Sequence, residues 1–147
     1  MIYEQSTGKL WDSAGGILLA NCYSGFSVGK NNPDLQDKVG LGPIPTGWYT
    51  IDDTVENVEK SGPHGKYVLR LHPDPKNEMH GRSGFLIHGD SIKSPGTASH
   101  GCIIPLSGLW DAQKRARTGR GLREGVYGLG DRRVRVVARL TAAGTVS

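Results

Sequence analysis

The sequence predicts a mainly β single domain, and three observations carry that expectation. Twenty-two glycines and eight prolines in 147 residues indicate many turns and few long helices. Short β-prone runs such as Trp48-Tyr49-Thr50-Ile51 and Phe85-Leu86-Ile87 recur between those turns. Near the end, Val134, Val136, Ala138 and Leu140 alternate with Arg133, Arg135, Val137 and Arg139, a strand with one apolar and one largely basic face.

In chain order, Ile2 to Gln5 and Lys9 to Asp12 flank Ser6-Thr7-Gly8 and read as a hairpin. An apolar run from Ile17 to Cys22 supplies the next strand. Residues 31–51 begin as loop, with Asn-Pro and Gly-Pro signals, and end in the strand at Trp48–Ile51; Pro43 and Pro45 hold the chain extended into it. Residues 52–65 are acidic and turn-rich, and Tyr67 to His72 follows as a strand. Phe85-Leu86-Ile87, ending at His88-Gly89, and Cys102-Ile103-Ile104, bounded by Gly101 and Pro105, read as core strands. Ser107 is placed to N-cap a helix over Gly108 to Arg117. The domain is assigned to residues 1–140, and the tail at 141–147 is expected to fray.

At this length a core can form without disulfides or metals. The first residues, MIYEQSTGKLWD, lack the basic start and apolar run of a secretory signal, and no apolar stretch approaches the roughly 20 residues that span a bilayer. We therefore expect synthesis in the cytoplasm without a signal peptide, and no membrane insertion. Cys22 and Cys102 fit no metal-finger spacing; a disulfide, two free thiols, or one catalytic thiol beside one buried thiol all stay open. Residues 114–147 hold nine Lys/Arg against Glu124 and Asp131, +7, while residues 1–113 hold nine against twelve acids, −3. A local basic patch suits an anionic envelope polymer, nucleic acid or an acidic protein. A solvated arginine-rich surface is the plainest reading, and nucleic acid is not expected as a partner.

The chemistry concentrates in HGDSIKSPGTASHGCIIP, residues 88–105. A cysteine attacks a carbonyl only as thiolate, so it needs a neighbour that takes its proton and returns it to a leaving group. Histidine does this best near neutrality. His88 ends one apolar strand and Cys102 begins another, so pairing those strands brings imidazole and thiol to one sheet edge. Gly101 removes a side chain where a substrate backbone must approach, and lets successive N–H groups form an oxyanion hole. Gly89 permits a bend in which a backbone carbonyl orients the imidazole.

Ser99-His100-Gly101-Cys102 preceded by His88-Gly89 resembles the signature of the L,D-transpeptidase (YkuD-type) catalytic domain. GPIPTGWYTI, residues 42–51, resembles the strand motif that precedes the active site in that family. YSGFSVGKNNPDLQD together with FLIHGDSIKSPGTASHGCIIP is most similar to the small L,D-transpeptidase and L,D-carboxypeptidase effectors that bacteria deliver by type VI secretion. The resemblance implies a β-sandwich with one short helix after the active-site strand. It implies Cys102 as acylated nucleophile, His88 as general base and the Gly89 carbonyl as its orienter. It also implies His100 and Ser99 as pocket residues, and Gly101 and Cys102 N–H as oxyanion donors. The implied substrate is a peptidoglycan stem tetrapeptide, cut between diaminopimelate and terminal D-alanine in a rival's periplasm. No cofactor or metal is implied; a cognate immunity protein and a component of the secretion apparatus are implied as partners. Ile104 stands where many members carry Arg or Asn, and the insert between His88 and Ser99 is short, which implies a more open or differently lidded site.

Blander readings stand beside these. Asp90 and Ser91 are partners for the His88 region or plain turn residues. Arg82 is a fork for a stem carboxylate or a solvated loop arginine. Trp48 and Trp110 border the substrate groove or fill the core. Cys22, far from any histidine, is a buried thiol. His88, His100 and Cys102 with His72 or His80 offer zinc-type donors, although their spacing matches no zinc template. A non-catalytic module gripping an anionic polymer through its basic end is the alternative from another class.

Overall fold

A computed structural model describes residues 1–52, 68–91, 93–108 and 130–140. Among the described residues, eight strands are seen: β1 (Ile2–Glu4), β2 (Lys9–Trp11), β3 (Leu18–Tyr23), β4 (Gly47–Ile51), β5 (Leu69–Pro73), β6 (Leu86–Ile87), β7 (Ile104–Gly108) and β8 (Arg133–Val137). They form one sheet in the order β6-β5-β4-β8-β1-β2-β3-β7. Neighbours are antiparallel except β1 and β8, which run parallel.

The two edge strands meet. Ile87 and Ile103 form a parallel bridge, in which Ile103 N–H donates to the Leu86 carbonyl (2.9 Å) and His88 N–H to the Ile103 carbonyl (3.2 Å). The sheet therefore curls almost into a barrel, which satisfies edge groups that would otherwise stay open. The mainly β expectation holds; in place of the expected β-sandwich there is one mixed sheet that nearly closes on itself.

Alternation along each strand sends one side inward. Tyr3, Leu10, Ala20, Cys22, Tyr49, Ile51, Leu69, Leu71, Phe85, Ile87, Ile103, Val134 and Val136 make the core. On β8 the valines at 134 and 136 are buried while Arg133 and Arg135 are exposed, as the alternation predicts. Val137, expected on the basic face, is buried too.

Residues 24–46 cross the outer wall as a long loop with two 3₁₀ turns, Ser27–Gly29 and Pro33–Leu35. The Asn32 side chain caps the second by accepting from Asp34 N–H (3.1 Å). The loop folds back on itself so closely at Gly42 that a Cβ there would lie 1.8 Å from the Leu35 carbonyl oxygen. Gln5, fully buried, donates from Nε2 to the Ile44 carbonyl (2.8 Å) and ties the loop's end to the barrel.

The strand expected at Cys102–Ile104 is displaced: β7 begins at Ile104 and runs through Pro105 to Gly108. Ser107 is no helix cap, because it and Gly108 extend β7, opposite Asn21 and Ala20 on β3. A register shift between Asn21 and Cys22 accommodates Pro105 opposite Cys22, since proline removes a ladder donor. The remainder of the expected helix, with Trp110, lies outside the described residues, as do residues 53–67 and the tail from 141.

Candidate active site

The closing seam positions the histidine and the cysteine. Phe85, Ile87 and Ile103 belong to the core, so alternation turns Leu86, His88 and Cys102 to the outer face. With Ile87 opposite Ile103, His88 lies one residue past the bridge on one strand and Cys102 one residue before it on the other. The register makes them diagonal neighbours on a single face.

His88 is 2% exposed, and its Nδ1 donates to the Gly89 carbonyl at 2.8 Å. A carbonyl only accepts, so the neutral ring carries its proton on Nδ1 and its lone pair on Nε2. The Cys102 thiol is pushed up by burial, against a backbone hydrogen bond from Leu86 and the positive field of Arg82, which both favour thiolate. Cys22 differs: it is buried in the core, its thiol is driven far up by burial, and both cysteines are free.

Two buried serines hold the turn that carries Cys102. Ser99 Oγ donates to the Cys102 carbonyl (2.6 Å) and accepts from Gly25 N–H (2.9 Å) and Gly101 N–H (3.1 Å). Ser24 Oγ donates to the Gly101 carbonyl and accepts from Ile44 N–H, each at 2.9 Å. Ser99 is thus a bracket beneath the turn rather than a residue facing substrate. The N–H of Gly101 is spent on that bracket, which corrects its expected part as an oxyanion donor. Glycine is nonetheless needed at 101. Its φ is +139°, and a Cβ would lie 2.6 Å from Arg82 Nη2 and 2.7 Å from Phe85 Cε1.

Arg82 is neither solvated nor open to a ligand carboxylate. It is 7% exposed; Nη1 donates to the carbonyls of Gln36 (2.5 Å) and Pro43 (2.7 Å), and Nη2 to those of Gly42 (2.9 Å) and His100 (3.0 Å). Its guanidinium also lies 5.2 Å from the centre of the Phe85 ring. Both terminal nitrogens are consumed in riveting the long loop to the nucleophile turn.

Asp90 does not reach toward His88. Its carboxylate accepts from Tyr23 Oη (2.6 Å), Ser91 N–H (2.8 Å) and Gly96 N–H (3.0 Å), so it organises residues 90–96. Tyr23 Oη in turn accepts from Ala98 N–H at 2.9 Å. Ser91 Oγ accepts from Ser94 N–H (3.0 Å) and is a turn residue. His100 is exposed; Nδ1 donates to the Gly40 carbonyl (2.9 Å), and its ring centre lies 5.4 Å from that of Phe26. It stands on the lip between turn and loop.

Residues 19–113, more than half of the chain, match the Tlde1 domain. The chain belongs to the Tlde1 domain family. A Tlde1 domain is an L,D-transpeptidase-like domain of type VI secretion effectors; the broader YkuD-type likeness rests on the motif residues alone. The match spans the long loop, the seam, the 88–102 insert and β7. No curated protein matches this chain, and no solved structure does.

Sequence reasoning missed Ser24, Tyr23 and the loop carbonyls of Gln36, Gly42 and Pro43. Their part depends on contacts between residues 39 to 77 apart in the chain, which no local pattern announces. The histidines named for zinc are dispersed: His72 pairs with Asp52 (2.9 Å) and His80 with Glu78 (3.6 Å). Among the described residues, no three His, Cys, Asp or Glu side chains are grouped to hold a metal ion.

Proposed function

We propose that this Tlde1 domain is a cysteine-dependent enzyme that cleaves the bond between diaminopimelate and terminal D-alanine in peptidoglycan stem tetrapeptides. The observation that supports this best is the seam register with the Nδ1-to-Gly89 hydrogen bond, which gives His88 the tautomer a general base needs beside a thiol.

In the reaction, His88 Nε2 takes the Cys102 proton and the thiolate attacks the diaminopimelate carbonyl. The C–N bond to D-alanine breaks as His88 returns that proton to the leaving amine, and a thioester remains on Cys102. Cys102 N–H, rather than that of Gly101, serves the oxyanion. Water then gives an L,D-carboxypeptidase, and a D-amino acid or a neighbouring stem gives transpeptidation. His100, at the exposed lip, contacts the incoming stem.

As an effector, the protein would leave its producer by type VI secretion, act in a rival's periplasm and be countered by an immunity protein. The test is mass spectrometry of tetrapeptide muropeptides incubated with wild type and with Cys102→Ala. Loss or exchange of terminal D-alanine by wild type alone supports the enzyme.

One observation favours a second reading, an anionic-polymer binding module. Trp48 is 39% exposed, with the Arg133 and Arg135 guanidiniums 4.3 and 5.8 Å from its ring centre, beside a cleft of about 300 Å³ lined by residues 46–48 and 135–138. This patch lies on β4 and β8, the third and fourth strands counted from the β6 side of the seam. Under that reading, Trp48→Ala with Arg135→Ala removes polymer binding while Cys102→Ala leaves function intact.

A further inference from the structure

We propose that Arg82 is a positioning residue for the nucleophile, its buried guanidinium serving as the counter-charge of the Cys102 thiolate. The inference rests on the reading of Cys102 as nucleophile.

Arg82 is a buried cation. Four backbone carbonyls surround it, three from the loop at 36–43 and one from His100, two residues before Cys102. Carbonyl dipoles solvate a guanidinium but cancel no charge, and among the described residues no carboxylate lies within ion-pair distance of it. A buried, unbalanced charge is costly, so a protein keeping one has a reason to. The acidic groups whose fields it feels are Tyr49, Asp37 and Cys102. Tyr49 is held protonated by burial, and Asp37 is about half exposed beside Lys38 at 3.7 Å. Cys102 is thus the buried acid near Arg82 that gains a charge during the proposed reaction.

The geometry also fixes where that charge sits. Gly101 lets Arg82 Nη2 come within 2.6 Å of the position a Cβ would take, so the guanidinium packs against the turn immediately before the thiol. The groups acting on the Cys102 thiol are the Leu86 backbone and Arg82, with His88 diagonal to it across the seam and Asp37 behind Arg82 from the loop. Arg82 is the permanent cation in that set.

The experiment is the pH profile of Cys102 alkylation by iodoacetamide on the full chain, resolved from Cys22 by peptide mass spectrometry. It compares wild type, Arg82→Gln and Arg82→Lys, with circular dichroism confirming the fold. Removing an opposite charge close to an acid raises its midpoint by roughly 1 to 3 pH units, so Arg82→Gln should alkylate at least about tenfold more slowly at neutral pH. Arg82→Lys keeps the charge and should stay near the wild-type midpoint while losing stability, because an ammonium cannot span four carbonyls. Arg82→Met, which keeps packing on Phe85, replaces the glutamine variant should that one not fold. An unchanged midpoint in the folded neutral variant overturns the proposal, as does an equal shift in the lysine variant, which would mark a purely structural role. Alkylation needs no substrate, so inactivity toward muropeptides would count against the reaction proposed above and leave this result standing.

Discussion

Gly101→Ala would place a methyl group 2.6 Å from Arg82 Nη2 and 2.7 Å from Phe85 Cε1, at a residue whose φ is +139°. The backbone conformation alone costs an L-residue about 1–3 kcal/mol. The neighbours have little room to yield, since Arg82 is tied to four carbonyls and Phe85 belongs to the core. Relieving the clash means losing a guanidinium hydrogen bond, worth roughly 1.5–3 kcal/mol because the donor is charged. The total is about 3–6 kcal/mol, a large part of the roughly 5–15 kcal/mol that holds a domain folded. Thermal unfolding followed by circular dichroism should show a fall in Tm of about 6 °C or more, at roughly 2–4 °C per kcal/mol for a chain of this size. A variant melting within about 2 °C of wild type would show that the turn and Arg82 are loosely coupled, and would refute the packing argument.

Ser99→Ala removes the acceptor of Gly25 and Gly101 N–H and the donor to the Cys102 carbonyl; denaturant unfolding should show a loss of about 2–4 kcal/mol, as expected when buried polar groups are left without partners. Asp90→Ala releases Tyr23, Ser91 and Gly96, so limited proteolysis should cut within residues 91–98 several-fold faster, with the barrel's melting temperature nearly unchanged. Cys22 is buried with its thiol pushed up, so above the ordinary thiol value of 9.0 the unfolded chain ionises there while the folded chain resists. Stability from this group is complete below that pH and declines as pH rises. Cys22→Ala should lessen the loss of stability between neutral pH and about pH 10, and an unaltered alkaline slope would contradict the burial.

The strands were legible because their signals are local. Phe85-Leu86-Ile87, apolar and bounded by turns, became a strand one residue shorter, and the run of valines alternating with arginines at 133–140 became one that ends three residues early, at Val137. The pairing of the His88 and Cys102 strands was also legible, since each carries its chemistry next to an apolar run that must enter the core. Ser107 misled because a serine before an apolar stretch is equally at home in a strand, and pairing with Asn21 on β3 outweighed the capping signal. Arg82 and Asp90 misled in another way. A charged residue near a nucleophile invites a ligand, yet here each is satisfied by backbone groups brought in by a long loop or by its own turn. Gly101 was rightly singled out as a necessary glycine, but what requires it is the close approach of Arg82 and Phe85, and its N–H goes to Ser99.

The central claim is that Cys102 is the nucleophile acting on the terminal D-alanine bond. The direct measurement is mass spectrometry of purified tetrapeptide muropeptides incubated with wild type and with Cys102→Ala, each with and without an added D-amino acid. The account predicts tripeptide, or exchange of the terminal residue, with wild type only. Unaltered tetrapeptide with wild type, or equal conversion by Cys102→Ala, would contradict it.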